Sequence, residues 1–291
     1  MYIQTFEGPA PPAVPSPPAP RPCCILAPDT PLGSNWVEIP SLGTHRGSNE
    51  ANGVIYTGKA GFLDTGHMRD LCDLTKHIHD QIRAATGSPV TPISTTHGEA
   101  SFHASLHTTI WVAVARAIAF DDSIGYEILT YDHFSPPPGG HNSSFSPEDL
   151  CSNFLGTLLA ERAIGRGGNF NAAVTSELSR MLTDLAGQPL AETQRAFNRI
   201  NGRWVNFTSW FSLVRDDYLR RRNFTNTPWK SGHSSDRSTP SWVTSPLPSF
   251  HGHYTYTHTQ ERRIPKSLFG REITRIRRNA ASRYGRNYDK P

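Results

Sequence analysis

The chain has 291 residues, 36% of them apolar, with 24 prolines and a formal charge of +4 at neutral pH. That length allows one large domain or two small ones, and no run of 18 apolar residues occurs, which excludes a transmembrane helix from the reading. The charge is uneven: residues 266–291 carry eight Lys and Arg against Glu272 and Asp289, a net +6, so the rest is near neutral.

Residues 1–22 form a proline-rich leader, extended rather than folded. It has no charged start and no apolar h-region, so a complete signal peptide is not read there. Of the four cysteines, Cys23 and Cys24 are adjacent, while Cys72 and Cys151 fall in predicted helices. No C-x-x-C occurs, which excludes a zinc ribbon or a thioredoxin-type motif. Residues 23–60 read as irregular chain or short strands, with turn chemistry at Gly33 and Gly43.

The first helix is predicted over residues 64–85, ended by Thr86-Gly87. His67, Leu71, Leu74 and Ile78 are spaced for one buried stripe, with Asp70 on its edge. A histidine and a carboxylate at i, i+3 on an inward face can hold a metal or exchange a proton, and neither belongs in a plain apolar core. His77 falls beside Asp70 and Asp73, a place for a supporting role.

Residues 97–107, HGEASFHASLH, bring Glu99, His103 and His107 to one face of a helix, at i, i+4 and i+8, and equally to one face of a strand, because every spacing is even. They make a second candidate metal set, with a solvent-facing edge as the plainer explanation. The second helix is predicted over residues 109–131, with Asp121 inside its apolar stripe, Glu127 at the border and Asp122 facing water. An unpartnered carboxylate at Asp121 would be costly to bury.

The third helix opens with Ser146-Pro147-Glu148-Asp149: a serine N-cap, proline at N1 and an acid at N3. Leu150, Phe154, Leu158 and Glu161 share a sector, and Leu155 and Leu159 fill much of the rest, so this helix is expected to be central. Further helices are predicted at residues 171–186, 190–200 and 204–222. Residues 226–265, rich in Ser, Thr, Pro, His and aromatics, read as irregular, with His251, His253 and His258 as polar filler. The basic stretch at residues 266–291 reads as a solvated tail that could contact nucleic acid or anionic lipid. No G-x-S-x-G, phosphate-binding loop or internal repeat is present.

Four phrases carry a resemblance: RPCC at 21–24, GFLDTGHMRDLCDLT at 61–75, AIAFDDSIGYEILTY at 117–131 and HNSSFSPEDLCSNFLGTLLAERAI at 141–164. Together they resemble the bacterial domain-of-unknown-function family 4056, over residues 21–230. The resemblance implies an exported or lipoprotein-type protein of the bacterial envelope and no assigned reaction.

These readings give a mainly α protein: a helical bundle at residues 23–225 with minor β structure, then the irregular segment and the tail. The expected site draws His67, Asp70, Asp121 and Glu127 from the first two helices, with His67, Asp70 and Glu127 as the catalytic groups. Asp149, Asn153 and Glu161 are secondary candidates on the third. Inward His, Asp and Glu on facing helices are how bundles hold metals, and mixed N/O donors suit zinc, iron or manganese. The expected function is a metal-dependent enzyme, a hydrolase rather than an oxidase, acting on a small molecule or peptide. The alternative is a non-catalytic envelope or scaffold protein whose buried carboxylates fix helix register.

Overall fold

A computed structural model of the chain describes residues 16–18, 36–85, 90–103, 110–133, 145–200, 223, 225–245, 247 and 253–258, with side chains of 128–133 and 257–258 excepted. The helix predicted at 204–222, the leader cysteines, His107 and the basic tail lie outside them. The protein is mainly α with minor β structure.

A hairpin begins the fold: β1 (Val54–Thr57) pairs antiparallel with β2 (Gly61–Asp64). Gly61 has φ +69°, and a Cβ there would lie 2.0 Å from the Trp229 carbonyl oxygen, so only glycine lets the later chain pass over the turn. The strand runs directly into helix α1 (Thr65–Ala84). Asp64 caps it, accepting from the amides of Gly66 and His67 at 2.7 and 3.2 Å. Of the predicted stripe, Leu71, Leu74 and Ile78 are buried and His67 is half-buried, and Ile82 extends the buried face by a turn.

β3 (Val90–Ser94), β4 (Gly98–His103) and β5 (Tyr254–His258) form an antiparallel sheet in that order. The ambiguous 97–107 stretch therefore resolves as strand over its described part. The segment read as irregular contributes β5. Its Tyr-Thr-Tyr-Thr alternation is a strand signal that the surrounding Ser, Pro and Gly obscured. The sheet packs on α1 and α2 (Trp111–His133) through Ile93, Ala100 and Phe102 against Ile78, Ile82, Val114 and Ile118.

Helices α3 (Asp149–Arg166), α4 (Phe170–Asp184) and α5 (Leu190–Ile200) follow, with a single turn α6 (Ser241–Thr244). α3 begins two residues later than its serine suggests. The Ser146 amide donates to Asp149 Oδ2 at 2.6 Å, and the Asp149 amide donates back to the Ser146 carbonyl at 3.1 Å. The acid thus makes its half of a capping box, while the serine hydroxyl turns instead to Glu148.

As expected, α3 is central: Leu150, Phe154, Leu155 and Leu159 join the core shared by α1, α2 and α4. It presses closest on α1 at Gly156. A Cβ there would meet the Met68 carbonyl oxygen at 2.4 Å and Leu71 Cβ at 2.9 Å. Ser152 adds a polar tie, its Oγ accepting from the Asp64 amide at 2.9 Å and donating to the Glu148 carbonyl at 2.7 Å. These contacts fix the first turn of α1 against the first turn of α3, where the site lies.

Candidate metal centre

Three helices meet at His67, Glu127 and Asp149. Their nearest ligand atoms, one per residue, all lie within 4.8 Å of one another, the one such group of His, Cys, Asp and Glu among the described residues. His67 stands at the third position of α1, half-buried; Glu127 lies on α2 and Asp149 opens α3, both 2% exposed. Bonds of about 2.1 Å to one ion would put donors about 3.4 Å apart, so small side-chain movements close this group on a single cation.

Each donor is held from behind. His67 Nδ1 is 3.1 Å from Asn153 Oδ1. Glu127 Oε2 accepts from the Phe145 amide at 2.8 Å, and Asp149 Oδ2 accepts from the Ser146 amide. Phe145 is buried at φ +53°, an unusual conformation for a bulky residue that aims its N–H at Glu127. Glu148, 3% exposed, adds a third carboxyl beside the pair and takes the Ser146 hydroxyl at 3.0 Å.

Burial pushes the Glu127 carboxyl above the usual glutamate range. The neighbouring His67 imidazole, the Phe145 amide and a hydrogen bond with Asp149 pull it down, and Glu148 pushes it further up; the net shift is upward. A cation bound beside this carboxyl would offset the cost of burying its charge.

The other expected ligands go elsewhere. Asp70 is half-buried and lies outside the group. Asp121 is 2% exposed but accepts from the Tyr254 hydroxyl at 2.9 Å. Asp121 and Glu127 are six residues apart, so a helix turns them to different sides and cannot aim both at one point. Asp122, expected in water, is buried: it accepts from the His97 amide and the Tyr256 hydroxyl and pairs with His97 Nδ1 at 3.0 Å. Tyr254 and Tyr256 share one face of β5, and so reach neighbouring carboxylates on α2.

Glu99 is exposed and His103 half-buried, alternating with the inward Ala100 and Phe102, so β4 presents them away from the core. Glu161 pairs with Arg116 at 2.5 Å. His77 is half-buried and takes its nearby charge from Asp80 rather than from Asp70 or Asp73.

Two polar arrays escaped the sequence reading. Arg69 is fully buried, donating to the Leu42 and Ala51 carbonyls at 2.8 Å and to Glu50 at 3.2 Å. Asp73 on the same helix holds His45 and Arg46, at 2.8 and 2.9 Å. Both staple residues 42–52 to α1, and long-range pairing of this kind has no local signal.

The second array runs Ser235–His233–Glu192, with ring contacts of 2.8 and 3.1 Å. It has the order of a hydrolase relay. The amides of Ser235, Asp236 and Arg237, however, already donate to His233 Nδ1, the His233 carbonyl and the Gly58 carbonyl. None of the three can stabilise an oxyanion, and the array latches this loop over the β1–β2 hairpin. Tyr56 completes the latch, donating to Asp236; burial and that bond push its hydroxyl up to about 12.

A mainly helical domain with one half-buried imidazole and two buried carboxyls at a three-helix junction is the class that fold and site define. The family described as "Protein of unknown function (DUF4056)" matches residues 32–226, and the chain belongs to it. Neither a curated protein nor a solved structure matches the chain.

Proposed function

We propose that the protein is a metal-dependent enzyme, hydrolytic rather than oxidative, with His67, Glu127 and Asp149 as the metal ligands. The observation that carries this is the convergence of one imidazole and two deeply buried carboxyls within 4.8 Å. Burying carboxylates together is costly unless a cation or a proton joins them. One nitrogen and two carboxylates suit zinc, iron or manganese. They depart from the two-histidine, one-carboxylate set of iron oxygenases, which favours hydrolysis. When bound, the ion supplies Lewis acidity and an activated water. The protein's own part is to hold the donors and to leave His67 half-open to a small-molecule or peptide substrate.

The test is hydrolysis of chromogenic ester, phosphoester and peptide substrates by metal-loaded, chelator-treated and His67→Gln protein. Turnover that is lost with chelator, restored by one metal and absent in the variant supports the reading. Metal-independent turnover, or none on any substrate class, counts against it.

A second reading has its own support. Glu127 and Asp149 accept the Phe145 and Ser146 amides, so both acids can serve as anchors for the chain entering α3 in a non-catalytic scaffold. Such a protein would bind no metal. Placement in a bacterial envelope, and any contact of the basic tail with lipid or nucleic acid, are further proposals, tested by cell fractionation and by salt-dependent binding of the full chain.

A further inference from the structure

We propose that Asn153 is the positioning residue for His67, fixing the proton on Nδ1 and turning the Nε2 lone pair toward Glu127 and Asp149. The inference rests on the metal reading only for what Nε2 meets. The tautomer can be tested without a metal.

Asn153 is 1% exposed, and its Oδ1 lies 3.1 Å from His67 Nδ1. An amide oxygen only accepts. The ring nitrogen facing it therefore carries the hydrogen, and whenever the ring is neutral the lone pair falls on Nε2. A histidine that ligates a metal uses this arrangement, its second nitrogen donating to a carbonyl or carboxylate that sets both the tautomer and the ring plane.

The helix explains why an asparagine stands there. Asn153 follows Asp149 by four residues, so the two stack on one face of α3. One helix face thus supplies a ligand and, a turn later, the group that orients another ligand. Gly156, in turn, lets α1 approach closely enough for that bond to span the two helices. The reversed carboxamide would make a different molecule. Its Nδ2 would donate to Nδ1, the ring hydrogen would move to Nε2, and His67 would donate to the carboxylates instead of binding a cation with them.

The experiment uses full-length, metal-free protein labelled with 15N-histidine, with His67 identified by the signals lost in His67→Gln. The expected result is a hydrogen on Nδ1 that exchanges slowly in the wild type and in Asn153→Asp, and rapidly in Asn153→Ala. Zinc affinity is expected to fall about 10–100-fold in Asn153→Ala and to be retained in Asn153→Asp. A wild-type hydrogen on Nε2 with bare Nδ1, or exchange unchanged in Asn153→Ala, overturns the proposal. Wild-type protein that binds no zinc but keeps the protected Nδ1 hydrogen overturns the metal reading alone and leaves the role of Asn153 supported.

Discussion

Gly156→Ala adds one methyl group where α3 crosses α1. Its carbon would sit 2.4 Å from the Met68 carbonyl oxygen and 2.9 Å from both Met68 Cα and Leu71 Cβ. Non-bonded carbons settle at about 3.5–4.0 Å, so α1 must retreat by about 1 Å. Two of the three atoms are backbone and cannot swing aside. Overpacking of this kind costs about 1–3 kcal/mol, against which alanine gains about 1 kcal/mol over glycine inside a helix. Because the clash is against backbone, its cost falls at the upper end of that range, and it should win with a net loss of about 2 kcal/mol. In urea the midpoint should fall by about 1 M at unchanged slope, for a slope of about 2 kcal/mol/M. The same retreat separates His67 from Asn153 by more than the roughly 0.5 Å that a metal site tolerates, so zinc affinity should fall as well. A midpoint that stays put or rises would mean that helix propensity prevails, and would refute close backbone contact between α1 and α3.

Arg69→Met should lower stability by about 3–5 kcal/mol, because it removes the buried guanidinium's bonds to Glu50 and to the Leu42 and Ala51 carbonyls; thermal melting measures this, and a change under 1 kcal/mol would contradict the assigned contacts. Asp122 titrates below the usual aspartate range: burial raises it, but His97, Thr95 and Tyr256 together outweigh burial. A depressed carboxylate stabilises above its unfolded pKa and loses that contribution as pH falls through the folded one. The stability gap between wild type and Asp122→Asn should therefore be full near neutrality and narrow below about pH 4, as read from urea midpoints; a gap independent of pH would count against the ionised pair. Glu127 has the opposite sign. Its raised carboxyl stabilises the metal-free protein below the unfolded pKa and loses that contribution as pH rises through the folded one. Midpoints of metal-free wild type should fall with rising pH above about 4.5 more steeply than those of Glu127→Gln; parallel curves would refute the shift.

The parts legible in the sequence were those with a local period. The α1 stripe, the central α3 and the short helices after it follow from apolar spacing alone, and His67 was readable as an anomaly on that stripe. Asp149 was legible only as a helix-start acid, because its approach to Glu127 depends on where α2 packs. Periodicity placed Asp121 in the apolar stripe but could not say that β5 would bring it a tyrosine. Asp122 looked solvent-facing for the same reason: its partners His97 and Tyr256 lie 25 and 134 residues away. Arg69 gave no signal, since a fully buried guanidinium is explained only by the carbonyls of a distant loop.

Elemental analysis and zinc titration of the purified protein, beside a Glu127→Gln, Asp149→Asn double variant shown by circular dichroism to be folded, decide whether His67, Glu127 and Asp149 hold a metal. Close to one equivalent of zinc, iron or manganese is expected in the wild type and none in the variant. Wild-type protein that carries no metal and takes up none when it is added would contradict the metal assignment, and would make the buried carboxylates anchors of the chain entering α3.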